Sequence, residues 1–196
     1  IDFGVKQHDI FQETPSLLYR LAQSYREFNQ KEQADKTAAA AISIRPQETE
    51  EHLIMADLLK DSGLFDWAER EFQLVSENSP AGSLSDIRAR FLLSEMLHDL
   101  AREWDAAKTL QVVVDVIEKD NQAAEQAAAM RGDLGAVYSR MHYFYALHYL
   151  EKGDFKKQEA ELDKAAAKEP TDADVLIALY RLPNQSEERS KKTRKL

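Results

Sequence analysis

Five histidines, His8, His52, His98, His142 and His148, are the side chains of this chain best suited to proton transfer or metal ligation near neutral pH. None stands in an H-E-x-x-H pattern or four residues from another, the spacing that presents two imidazoles to one metal on a helix. A metal site would need histidines from separate stretches to converge. His142 and His148 lie in a run from Met141 to Tyr149 that also holds Tyr143, Phe144 and Tyr145. Such a run supplies an aromatic ligand pocket or, at helical spacing, a packed core. Gly132-Asp133-Leu134-Gly135 lacks the preceding strand that a phosphate-binding glycine loop requires, and neither G-x-S-x-G nor G-x-x-x-x-G-K-[ST] occurs. The carboxylate neighbours Glu50 and Glu51, or Asp61 and Asp66, are what an acidic helical surface supplies without burial or convergence. The sequence thus offers no catalytic, cofactor-binding or metal-ligating residue.

Composition narrows the class. Of 196 residues 43% are hydrophobic, with only six Gly and five Pro, which fits a helical protein. No stretch approaches the roughly 20 apolar residues of a membrane-spanning helix. Without Cys there are no disulfides and no thiolate zinc sites, and the compartment stays open. Net charge is -9 overall; residues 184–196 hold five Lys/Arg and two Asp/Glu, so the remainder carries 21 minus 33, or -12. That body is a poor match for nucleic acid and favours basic or amphipathic peptides. Ile1, with no signal-like segment behind it, reads as the start of a processed or excised chain.

Between Thr14 and Pro80 one pattern occurs twice, with Ala22 and Ala56, Ala34 and Ala68, and Pro46 and Pro80 each 34 residues apart. In this the chain resembles the tetratricopeptide repeat family, whose helix-turn-helix unit has that length and runs W-x2-L-G-x2-Y, then A-x3-F, then P. His52 stands in the place of the opening Trp and Leu59 in that of the Tyr, so the likeness is of character more than identity. The resemblance covers roughly residues 14–180 and implies an all-α, right-handed superhelix, an α-solenoid of antiparallel helix pairs with a concave binding surface.

The elements follow in order. Residues 1–13, with Phe3, Val5, Ile10 and Phe11, read as an N-terminal cap or the remnant of a preceding repeat. The solenoid spans 14–182 in about four repeats: 15–48, 49–82, 83–120, and 121–170 with an extended first helix, with a partial fifth from 171. Thr14 offers a cap oxygen to the first helix and Pro15 its first residue. In the third repeat Ala106 or Ala107 takes the small-residue position, the register slipping near Trp104; in the fourth, Gln158 replaces it. Ala127, Met130, Leu134, Val137, Met141 and Tyr145 form one stripe with steps of three and four, which suits a continuous helix over 121–152; a break at Gly132 to Gly135 is the alternative. Thr171 and Asp174 resemble a capping box for a further helix, and 183–196 reads as a polar, basic helix or linker.

The resemblance also implies where a partner is held. First helices line the family's groove, which selects Tyr19, Gln23 and Arg26; Leu53, Asp57 and Lys60; Phe91, Glu95 and His98; and Tyr143, Leu147 and Leu150. The family's chaperone-binding branch grips a C-terminal carboxylate through Asn residues, and here Gln23, Asp57, Glu95 and Leu147 stand instead, so that clamp is absent. The implied function is a non-catalytic scaffold for a protein or peptide with basic and apolar anchors, without cofactor. Two other functions remain open: the recruiting region of a larger enzyme, and a self-assembly module built on 121–152.

Overall fold

In the computed structural model, which describes residues 14–44, 49–131 and 134–182, every regular element among those residues is an α-helix. The chain divides into two compact units, residues 1–74 and 75–196. The all-α, sequentially packed architecture is that of a tetratricopeptide-like helical repeat.

The first unit holds α1 (Pro15–Glu27), α2 (Lys31–Ser43), α3 (Thr49–Asp61) and most of α4 (Phe65–Asn78). Pro15 opens α1 because its missing N–H would be unpaired there in any case. Thr14 has the extended backbone of a cap, yet its hydroxyl makes no cap bond, contrary to expectation; its carbonyl accepts from Leu17 and Leu18 at 3.0 and 3.1 Å. The helix ends where Asn29 turns left-handed, φ 58°. There the Asn29 N–H bonds to Arg26 O at 3.0 Å and the Gln30 N–H to Tyr25 O at 2.8 Å, the paired 5→2 and 6→1 bonds of a Schellman motif. Gly63, φ 73°, repeats this after α3 with bonds to Lys60 O and from Leu64 to Leu59 O.

The second unit continues with α5 (Leu84–Asp99), α6 (Glu103–Ile117), α7 (Asn121–Arg131), α8 (Leu134–Glu151), α9 (Phe155–Lys168) and α10 (Ala173–Arg181). The same turn closes α5 at Ala101, φ 57°, and α8 at Gly153, φ 70°. The bonds are again paired: Ala101 to His98 O and Arg102 to Leu97 O, then Gly153 to Leu150 O and Asp154 to Tyr149 O, all 2.8–3.0 Å.

These four turn residues fix the register of the hairpins. Seven residues before each stand Ala22, Ala56, Ser94 and Ala146, all fully buried. Five after stand Ala34, Ala68, Ala106 and Gln158, also buried, so Ala106 holds the small-residue position that the sequence left open with Ala107. Small side chains at both places let two helices approach closely while larger residues beyond them, such as Phe72, Leu110 and Leu162, fill the interior. Gln158 is too large and polar for its place: it is 4% exposed and its amide oxygen has no hydrogen-bond partner among the described residues.

Two expectations about the second unit are corrected. The stretch 121–152 consists of α7 and α8, with 132–133 between them outside the described residues. The Tyr138 hydroxyl reaches the Glu118 carboxylate, so the start of α8 lies level with the end of α6, whereas a straight helix from Asn121 would carry Tyr138 about 25 Å along its axis. α7 instead packs on α5 and α6 through buried Ala123 and Ala127. At α10 the cap is Asp172, not Thr171, because its carboxylate takes the Asp174 and Val175 N–H groups at 3.0 and 3.3 Å. The regions expected at 1–13 and 183–196, and Pro46, lie outside the described residues.

Gly82 and Gly153 separate two uses of a left-handed glycine. A Cβ on Gly82, φ 76°, would stand 2.6 Å from a Val116 side-chain carbon and 2.8 Å from the Ala123 Cβ; one on Gly153 would meet nothing within 4 Å. Gly153→Ala therefore adds only backbone strain, about 1–2 kcal/mol, while Gly82→Ala adds overpacking of about 1–3 kcal/mol to it. Urea unfolding of both variants should show the larger loss for Gly82→Ala. Equal losses would contradict the wedged position of Gly82.

Candidate functional site

The sequence-selected residues fall ten, six and three places before each turn residue, so each trio shares one side of a first helix. In the first unit Tyr19 and Leu53 are buried, at 2% and 1% exposure, and serve as floor. Gln23 is half-buried and bonds to Glu27 at 3.3 Å. Arg26 lies 4.3 Å over the Trp67 ring and 3.8 Å from Asp66, while Asp57 pairs with Lys60 at 3.0 Å. Trp67 itself is buried, packed 5.7 Å from the Tyr19 ring.

In the second unit Glu95 and Tyr143 meet at Arg140 of α8, with His98 against Tyr143. Its guanidinium forks onto both Glu95 oxygens at 2.8 and 2.9 Å and reaches Asp174 at 2.8 Å. Burial opposes its charge, but the bonds to Glu95 and Asp174 outweigh that and hold its pKa above the usual arginine value. The same guanidinium lies 4.9 Å over Phe144 and 5.4 Å over Tyr143. His98 stacks on Phe144 at 4.9 Å and faces both Glu103 oxygens at 2.9 Å. Phe91 is buried, Leu147 half-buried and Leu150 exposed at 44%. Trp104, half-exposed, packs against Tyr145 and His148, with the Lys108 ammonium over its ring at 4.9 Å.

Sequence reading missed a pair of part-buried acid–imidazole contacts. His52 meets Glu71 at 2.5 Å and His142 meets Glu161 at 2.7 Å, each through Nδ1 and each across one hairpin. Both pairs are 19 residues apart and occupy the same places, eleven before and eight after the turn glycine. The signal was present: His52 and His142 stand 90 apart, as do Glu71 and Glu161, the interval that also separates Ala56 from Ala146. Glu71 has a second partner, the Tyr19 hydroxyl, which donates to its other oxygen. Burial, and then the adjacent Glu71 charge, push the Tyr19 phenol far above its usual pKa, so it remains a donor.

The described histidines thus each have a local packing or charge partner and do not converge, and His8 lies outside the described residues. Among the described residues no group of three His, Cys, Asp or Glu is placed to hold a metal. No helix of the described residues is long and apolar enough to cross a membrane.

His98 and His142 should titrate in opposite directions from the ordinary 6.5. The hydrogen bond to Glu103 raises His98, whereas burial lowers His142 despite Glu161. His98 therefore adds stability that is full below 6.5 and lost as pH rises through its folded pKa; His142 adds stability that is full above 6.5 and lost as pH falls through its own. Following both rings by NMR should show His98 titrating above His142, and Glu103→Gln should lower His98 alone. Coincident titrations would contradict these environments.

No curated protein matches the chain. Residues 15–48, which include the α1–α2 hairpin, match the family model described as Tetratricopeptide repeat, a repeat whose general role is protein–protein interaction.

Proposed function

We propose that this chain is a non-catalytic interaction module that holds an extended or helical polypeptide segment through the first-helix faces of its units. The observation that carries the reading is the match of residues 15–48 to an interaction repeat, together with the recurrence of the same hairpin closure at Gly63, Ala101 and Gly153. Partner contact falls to the residues of each trio that retain exposed surface. In the first unit these are Gln23, Arg26, Asp57 and Lys60 over a floor of Tyr19 and Leu53; in the second, Glu95, His98, Tyr143, Leu147 and Leu150 over Phe91.

The chemistry of the partner follows from charge. A chain of net charge -9 attracts basic segments over a Debye length of about 8 Å at physiological salt, and exposed apolar side chains such as Leu150 supply short-range burial. Lysine or arginine interspersed with leucine or an aromatic is the sequence such a surface selects.

Display of random twelve-residue peptides against the full chain should enrich such sequences, and their affinity should fall with added salt. Asp57→Lys and Leu150→Asp should each weaken the enriched peptides at least tenfold, about 1.4 kcal/mol, with unchanged helical circular dichroism. Affinity unmoved by both substitutions would overturn the assignment of these faces.

A further inference from the structure

Glu71 is a carboxylate at 1% exposure, and a cleft of about 230 Å³ opens beside it within the first unit. Glu71 and His52 line that cleft together with Pro15, Ser16, Glu51, Ile54 and Met55. A buried carboxylate is stable only when its charge and its roughly four lone-pair sites are answered. Two donors answer Glu71: the Tyr19 hydroxyl on one oxygen and the His52 imidazole on the other.

The equivalent hairpin of the second unit shows what completes such a pair. There Glu161, bonded to His142, also takes the Lys164 ammonium at 2.7 Å. Lys164 stands eleven residues after the turn glycine, and the residue at that place in the first unit is Leu74. Among the described residues no lysine or arginine pairs with Glu71. One hairpin therefore carries its own cation, and the other carries an acidic cleft instead.

We propose that this cleft takes the side chain of a lysine or arginine from a partner polypeptide. The walls suit the stem of such a residue: Ile54 is 53% exposed, and Met55 and Pro15 add apolar surface that an aliphatic chain covers while its head reaches a carboxylate. Glu51, exposed at the rim, adds a second negative charge toward an incoming cation. The inference gives the basic anchor of the proposed partner a defined seat, and it stands independently of the first-helix faces named above.

The test uses the full chain and a probe that mimics the side chain alone. Carbon-13 methyl signals of Ile54 and Met55 are followed by NMR while n-butylammonium is titrated, with n-butanol as an uncharged molecule of the same length. The proposal expects saturable shifts with n-butylammonium at millimolar concentration and at least fivefold weaker response to n-butanol. Glu71→Gln should weaken the ammonium at least fivefold. Ile54→Lys, a change at an exposed position that leaves the fold intact and places a competing ammonium at the mouth, should do the same. Equal responses to the two probes, no saturable shift, or ammonium binding unaffected by both variants would overturn it. Saturation by ammonium beside a failed peptide selection would keep this cleft and reject the first-helix faces, so the two readings fail separately.

Discussion

The structure depends on one backbone event, a single residue turning left-handed at the end of a first helix. Asn29, Gly63, Ala101 and Gly153 each make this turn, and each lets two amides return to the carbonyls that the helix end would otherwise leave bare. The consequence is positional. Because the reversal is the same each time, the residues seven before and five after it are buried in every one of these hairpins, and all but Gln158 are small. Ala101 makes the turn without being glycine, at a cost of about 1–2 kcal/mol, which the paired hydrogen bonds and the burial of Ser94, Ala106 and Leu110 offset.

Once the hairpin register is fixed, it also fixes where charge is buried. The places eleven before and eight after the turn face one another, and in two hairpins they hold a histidine and a glutamate. Such pairs are not sources of net stability so much as demands on their neighbours, since removing a carboxylate from water costs several kcal/mol unless partners replace it. The two units meet this demand differently. Tyr19 donates to Glu71 from a separate helix, and Lys164 reaches Glu161 from the same one. Arg140 follows the same logic from the opposite sign: a largely buried cation with Glu95 and Asp174 on either side of its planar fork.

Much of this was legible in the residues. The 34-residue interval placed the first two hairpins because Asn29 and Gly63 stand at equal spacing, and Pro15 opens the first helix as its missing N–H suggests. The third hairpin was blurred because Ala101 does the work of a glycine and Ser94 that of an alanine, substitutions that hide a turn from composition while leaving its geometry intact. The break between α7 and α8 was hidden because an apolar stripe in steps of three and four is the same whether one helix carries it or two. For the candidate faces, sequence spacing put each trio on one side of a helix but did not give its depth. Tyr19, Leu53 and Phe91 are large enough to be drawn into the interior, where neighbouring helices cover them, and the charged cleft beside Glu71 emerged only when three separate stretches were brought together.

The claim that carries the rest is that the hairpins share one closure even where glycine is absent, and Asn29 and Ala101 are the two positions where that is least assured by residue type. Backbone carbon-13 chemical shifts and amide–α-proton couplings measured at both residues in the full chain report φ directly. Values of the left-handed region at Asn29 and Ala101 are predicted, matching φ of 58° and 57°. Right-handed helical values at either would contradict the shared register and, with it, the placement of every residue counted from those turns.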